Sequence, residues 1–165
     1  MNKILNVIKA TVLIFGLSIA NIYAQETEKV IGTVGGEKLG DDRIVICVLG
    51  TQACMPVQID KNMTVKYNGE ETKLTDLPFA LYLEAELNGN KITTIKIDER
   101  KTVICFAEHK AGDDEKLTGL LNGIKGVEDF TLYHKSNQVL IEYNPKQIAY
   151  SELEAKVKNA GFILE

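Results

Sequence analysis

The chain has 165 residues, of which 45% are hydrophobic, and a formal net charge of −4 at pH 7. This acidic balance, without any basic patch interleaved with aromatic residues, argues against nucleic acid as a partner. The chain has two histidines, and we find no Ser/His/Asp arrangement and no Gly-rich phosphate loop that opens a helix, so we expect no enzymatic activity.

Residues 1–24 have the pattern of a secretory signal peptide. Lys3 and Lys9 precede the apolar run Ala10–Leu17, and Ile22-Tyr-Ala24 supplies small residues for cleavage. The alternative is a retained membrane anchor, but the apolar run is short for a membrane span. We therefore expect an exported protein, periplasmic or secreted, with no membrane span after the signal peptide is removed.

Residues 29–98 lack helical periodicity and contain short β-rich runs separated by turn signals such as Asn68-Gly69. Several short strands at this spacing favour a small closed or nearly closed β-barrel, because closure removes exposed strand edges. The predicted strands are Val30–Val34, Arg43–Leu49, Ala53–Ile59, Met63–Tyr67, Leu81–Leu87 and Lys91–Ile97.

This middle region resembles a known kind of module. The stretches Thr64–Gly69 and Leu74–Pro78, followed by an alternating strand and a final Ile-x-x-Ile-x-Ile, resemble small OB-like β-barrels of exported bacterial proteins. The resemblance implies an OB-like barrel over residues 29–98. The charged segment Asp98–Lys101 is then predicted to be a short joint to the next domain.

Residues 101–165 change to a mixed pattern that contains two helices. Leucines 117, 120 and 121 and Ile124 recur at helical spacing, and Gly126 follows as a residue that tolerates a left-handed backbone. Leu153, Val157 and Ala160 form the apolar stripe of a second helix. Ser151 and Glu154 have the spacing of a capping box at its start.

Four strands complete this region, at Lys101–Ala107, around Phe130 and Leu132, around Val139 and Ile141, and at Phe162–Leu164. The resulting order is strand, helix, strand, strand, helix, strand. It is the βαββαβ order of ferredoxin-like folds. The predicted fold class is therefore α+β, with a small OB-like barrel followed by a ferredoxin-like domain.

The last 65 residues resemble heavy-metal-associated (HMA) domains, the small copper-chaperone-like modules, in the runs Leu117–Val127, Val139–Pro145 and Leu153–Phe162. The resemblance implies the ferredoxin-like fold and a history of metal handling. The family carries a Cys-x-x-Cys pair between its first strand and first helix, and the matching positions here hold Lys110 and Asp113. Because copper(I) and other soft ions prefer thiolate or thioether sulfur, the usual site of the family is absent.

Cys47 and Cys54 are the main candidates for a site in the barrel region. A two-residue turn at Gly50-Thr51 would place the two sulfurs opposite each other on one face of a hairpin. Three outcomes are open: a cross-strand disulfide, a soft-metal site with copper(I) or zinc and a third ligand, or two unlinked thiols. Met55 is adjacent but points to the opposite face if the strand is regular.

Cys105 and His109 are secondary candidates. Cys105 matches an inward position of the first HMA-like strand, where a buried core thiol is expected. The alternative pairs it with His109 at the end of the strand, although two ligands hold a metal poorly.

A further prediction concerns the face of the second sheet that lies away from the helices. The family alignment places Val103 and Cys105 toward the helices, so Ile104 and Phe106 are expected on the opposite face. Tyr133 and Leu140 are expected on that same face. An open face this apolar is expected to pack on the barrel or on a second copy of the chain, as a homodimer.

Three hypotheses about function follow. The first is an exported, non-enzymatic metal-handling or metal-derived binding protein with a possible copper site at Cys47 and Cys54. The second is a metal-free scaffold that binds another exported protein through the ferredoxin-like domain. The third is a thiol-redox protein that cycles Cys47 and Cys54.

Overall fold

The computed structural model describes residues 27–36, 39–51, 53–108, 110 and 112–164. The predicted signal peptide, 1–24, lies outside these residues. The described chain is mixed α+β, and within it no helix has the length and apolarity needed to cross a membrane. Its elements are β1 (Glu28–Val34), β2 (Arg43–Val48), β3 (Cys54–Gln58), β4 (Thr64–Tyr67), β5 (Glu70–Lys73), β6 (Leu81–Asn88), β7 (Lys91–Cys105), α1 (Asp113–Gly123), β8 (Val127–Tyr133), β9 (Gln138–Tyr143) and α2 (Tyr150–Asn159).

Five strands form a closed β-barrel. Strands β3, β2, β1, β6 and β7 are hydrogen-bonded in that order, and the barrel closes where β3 pairs in parallel with β7 at Gln58 and Lys91. The Gln58 N–H also donates to the Asn90 carbonyl at 2.8 Å. The alternating apolar residues of these strands fill the interior, which explains why the strands were predictable. Five of the best-buried core residues are Ile46, Val57, Leu83, Leu87 and Ile92.

The β4–β5 hairpin confirms the turn predicted at Asn68-Gly69 and contains a strand, β5, that the sequence pattern did not predict. Asn68 and Gly69 have φ values of 51° and 83°, the left-handed pair that a two-residue type I′ turn requires. Strand β5 was not predicted, because Glu70–Lys73 contains no apolar residue. It forms because the turn returns the chain onto β4, where Thr72 pairs with Val65.

The predicted joint at Asp98–Lys101 is not a separate linker, because it lies inside the continuous strand β7. It coincides with an irregularity: β6 pairs with β7 up to Ile97 and again at Thr102, so the intervening residues have no β6 partners in register. The charged side chain of Lys101 has a partner on the neighbouring strand β9, since its Nζ lies 2.9 Å from Glu142 Oε1. One strand therefore belongs first to the barrel and then to the second sheet.

The second half of β7 pairs with β9, and β9 pairs with β8. Helices α1 and α2 cover one face of this sheet and enclose a second hydrophobic core, separate from that of the barrel. The predicted final strand is reduced to an isolated bridge between Phe106 and Leu164. The best-buried residues of the second core are Phe106, Leu117, Leu121, Val139, Ile141, Leu153 and Val157.

The face assignment predicted for β7 is wrong by one residue. Ile104 and Phe106 belong to the core beneath the helices, so Val103 and Cys105 point to the other face. The register explains this result: Ile104 pairs with Val139, which is buried in the same core. The residues that alternate on the two faces of this strand, Val103 and Cys105 on one and Ile104 and Phe106 on the other, are all apolar. The sequence of the strand alone therefore does not indicate which face is buried beneath the helices.

Helix positions agree with the predicted periodicity, but the capping prediction for α2 is wrong. Ala149 precedes the helix without a side-chain cap, and Ser151 lies within the first turn. Gly126, which follows α1, has a φ of 102°, as expected for a residue that turns the chain after a helix.

Candidate functional site

Cys47 and Cys54 are joined by a disulfide across the β2–β3 hairpin, with Cα atoms 3.9 Å apart. The predicted cross-strand register is therefore present. The adjacent pair carries the backbone hydrogen bond from Val48 N–H to the Ala53 carbonyl, at 2.9 Å. The cysteines thus occupy a non-hydrogen-bonded position, where side chains of opposite residues approach most closely.

The turn of this hairpin differs from the two-residue turn predicted at Gly50-Thr51. The Thr51 N–H donates to the Val48 carbonyl at 3.3 Å, which makes Leu49 and Gly50 the central residues of a β-turn. Gly50 has a φ of 79°, which glycine adopts without steric cost. The register is unchanged, because Val48 still pairs with Ala53 at the end of the hairpin.

The structure does not bring Met55 to the cysteines. Met55 pairs with Ile46, and both side chains pack in the barrel interior. Successive residues of a strand point to opposite faces, so Cys47 and Cys54 lie on the outside of the barrel. The third predicted sulfur ligand is therefore separated from the other two by the barrel wall.

Cys105 lies in the same cavity as the disulfide. This cavity has a volume of about 210 Å³ and is bounded by the β2–β3 hairpin, the C-terminal part of β7, β9 and α2. All three cysteines of the chain line it. Much of the remaining wall is apolar, with contributions from Ala53, Ala80, Val103 and Leu164.

Gln138 connects Cys105 to the hairpin that carries the disulfide. Its side-chain carbonyl accepts a hydrogen bond from Gly50 N–H at 2.8 Å, and its amide nitrogen lies 3.7 Å from Cys105 Sγ, as a donor. Gln138 is 6% exposed, so these contacts satisfy an amide that would be costly to bury alone. The glutamine therefore positions the thiol and the hairpin relative to each other.

The barrel contacts the second sheet on the face that also carries Cys105. Besides the Gly50–Gln138 hydrogen bond, Gly50 lies against Tyr133, since a Cβ added to this glycine would be 3.5 Å from the tyrosine ring. The face that meets the hairpin is that of Val103 and Cys105, whereas the prediction placed Ile104 and Phe106 there.

The segment that leads into β6 forms a part of the cavity wall that sequence analysis missed. Ala80 is buried with a φ of 63°, in the left-handed region that alanine rarely adopts. Its N–H donates to the Val34 carbonyl and its own carbonyl accepts from Thr102 Oγ1, both at 3.0 Å. These two bonds hold the strained residue in place, and the neighbouring Phe79 lines the cavity while 55% exposed.

The remaining predicted candidate, His109, follows the end of β7 in the sequence. His109 lies outside the described residues. At the positions that match the family's cysteines, the Lys110 N–H donates to Asp113 Oδ2 at 2.7 Å. Lys110 Nζ lies 2.9 Å from Glu108, whose hydrogen bond and charge raise the pKa of the lysine. In this disulfide-bonded state, the described residues include no group of three His, Cys, Asp or Glu side chains placed to hold a metal ion.

Tyr150 lines the cavity from the start of α2. Burial raises its pKa to about 12, and the negative charge of Glu154 acts in the same direction. The folded protein therefore favours the neutral phenol of Tyr150 more than the unfolded chain does. The stability that this preference adds is fully present below the ordinary tyrosine pKa near 10. It is lost as pH rises from there through about 12.

We therefore expect the absorbance titration of the native protein to contain a phenol that ionises near pH 12, and Tyr150→Phe to remove that component. The variant should also lose less stability than the wild type as pH rises above about 10. Loss of a component centred near pH 10 instead would contradict this assignment.

No protein-family model matches this chain, and comparisons with curated proteins and with solved structures give no match.

Proposed function

We propose that this protein is an exported, non-enzymatic metal-handling protein that binds a soft ion such as copper(I) when its disulfide is reduced. The observation that carries the proposal is that Cys47, Cys54 and Cys105 line one cavity. Copper(I) prefers thiolate sulfur, and a disulfide offers none. Two-electron reduction by an external dithiol would turn two sulfurs into thiols beside a third, so binding depends on redox state.

The fold proposed with this function is an OB-like barrel joined to an HMA-like, ferredoxin-like unit. Support for the first part is the strand order of the barrel and its closure by a parallel pair. Support for the second is the order of the second half of β7, α1, β8, β9 and α2, followed by the bridge at Leu164. The metal site proposed here replaces the family position that Lys110 and Asp113 occupy.

A competition titration tests the proposal. The reduced chain is titrated with copper(I) under anaerobic conditions against a chromophoric chelator, and the oxidised chain is titrated in parallel. We expect one ion bound by the reduced protein and none by the oxidised protein. Loss of an outer-shell residue of a metal site typically costs about 10–100-fold in affinity, and loss of a ligand should cost more. We therefore expect Cys47→Ser/Cys54→Ser to abolish competition, and Cys105→Ser to weaken binding by more than about tenfold.

Met55→Leu is a matched control, because Met55 is the sulfur-containing neighbour that packs inside the barrel. It should leave copper affinity unchanged. Equal binding by the reduced wild type and the double serine variant would refute the site. No binding by either protein would favour the interaction scaffold, and efficient reduction of a model disulfide without metal binding would favour the thiol-redox protein.

A further inference from the structure

We propose that Cys105 undergoes thiol–disulfide exchange with the Cys47–Cys54 disulfide, so that the chain has a second disulfide form. In that form the covalent link joins β7 to the β2–β3 hairpin. The exchange needs no metal, and it therefore stands apart from the proposed copper site, although the same three sulfurs take part.

The first support is that the thiol and the disulfide share one cavity. Cys105 lines about 210 Å³ of space together with both sulfur-bearing residues of the hairpin. Thr51, Ala53 and Gln138 are among the other residues that line this space. Cys105 itself is half-buried and Cys54 is exposed, so the site is open enough for proton exchange with solvent.

The second support is the way in which Gln138 holds the two partners. One amide group accepts a hydrogen bond from Gly50 in the hairpin turn and lies 3.7 Å from Cys105 Sγ through its nitrogen. Gln138 belongs to β9, which pairs with β7 at Cys105. The hairpin turn and the thiol are therefore held by the same buried side chain, which fixes the position of the thiol relative to the hairpin.

The chemistry balances within the chain. Cys105 loses its proton to solvent and its thiolate attacks one sulfur of the disulfide. The original S–S bond breaks, a bond from Cys105 to the attacked sulfur forms, and the other hairpin cysteine leaves with the electron pair and takes up a proton. No oxidant or reductant is consumed, because one thiol and one disulfide are present before and after.

The exchanged form has a different effect on the chain. The present disulfide closes a loop with a sequence separation of 7. A link from Cys105 to either hairpin cysteine closes a much longer loop, which removes more conformational entropy from the unfolded chain. It also releases a thiol on the outside of the barrel. Exchange thus converts a disulfide within one hairpin into a disulfide between the barrel and the second sheet.

Thiol mapping on the wild-type chain tests the proposal directly. The protein is incubated with a metal chelator at mildly alkaline pH without added thiol, acidified to stop exchange, labelled with N-ethylmaleimide and digested for mass spectrometry. We expect label on Cys105 and also on Cys47 or Cys54, together with a cross-linked peptide that contains Cys105. The rate should not depend on protein concentration. Label confined to Cys105 after long incubation would overturn the proposal.

Two single variants test independently whether Cys105 can form a disulfide with a cysteine of the hairpin. Cys47→Ser and Cys54→Ser each leave one hairpin cysteine beside Cys105, and mild oxidation of at least one of them should give an intramolecular disulfide. Failure of both folded variants to form it would count against exchange. Cys105→Ser is the control, since it keeps the original disulfide and should take no label.

Gln138→Leu tests positioning separately from folding. It removes the hydrogen bond to Gly50 and the contact with Cys105 while keeping a side chain of similar size. We expect exchange to be several-fold slower in the native variant, with the same final products. An unchanged rate would show that Gln138 does not position the thiol against the disulfide. Failure of the reduced protein to bind copper would count against the proposed metal site but not against the exchange.

Discussion

Replacing Phe106 with alanine is expected to lower the free energy of unfolding by about 3–5 kcal/mol, the usual range for truncating a buried aromatic residue. Phe106 is 1% exposed, and its ring lies 5.6 Å from that of Phe162 in the core beneath the helices. Truncation removes the packing between the end of β7 and both helices. Urea denaturation followed by circular dichroism measures the change.

Leu140→Ala is the matched comparison, because Leu140 is half-buried on the opposite face of the same sheet. Partial burial limits its expected cost to about 1 kcal/mol. The face assignment predicted from the sequence places both residues on one face, with similar roles in domain packing. Equal destabilisation by the two variants would therefore contradict the observed arrangement and favour that assignment.

Gly32→Ala is expected to destabilise the barrel by about 3 kcal/mol, at the upper end of the range for overpacking. A Cβ on Gly32 would lie 2.2 Å from the Cys47 carbonyl oxygen, which is backbone and cannot rotate away. Strands β1 and β2 would have to separate beside the disulfide. Thermal and urea unfolding under oxidising conditions measure the loss.

Gly119→Ala is the control for this substitution. Nothing lies within 4 Å of the position that its Cβ would occupy, and the residue is in the interior of α1. Alanine is favoured over glycine in a helix by about 0.5–1 kcal/mol, so the same chemical change should here stabilise the protein. Destabilisation of the same size by both variants would show that the close approach of β1 to β2 is not the cause.

Only part of the candidate site could be predicted from local sequence patterns. The opposition of Cys47 and Cys54 was predictable because a hairpin register follows from a short turn between two β-rich runs, even though the turn itself has a different form. The place of Cys105 was not predictable, because it depends on which face of β7 the helices cover. Gln138 carried no signal at all: a single polar residue at the start of an apolar strand is ordinary until its partners are known.

The sequence by itself determined those helices, strands and turns whose residue pattern is complete within a short stretch of chain. The helical spacing of leucines predicted α1, the Asn68-Gly69 pair predicted a tight turn, and alternating apolar residues predicted most barrel strands. These features depend on backbone preferences and on one buried face, both of which act over short distances.

Only the tertiary structure decided how the parts meet. It continued β7 from the barrel into the second sheet, turned Cys105 toward the disulfide and paired the charged strand β5 with β4. The physical reason is that each choice depends on contacts between residues far apart in the chain. Where both faces of a strand are apolar, or neither is, the sequence of that strand has no preference until its neighbours cover one side.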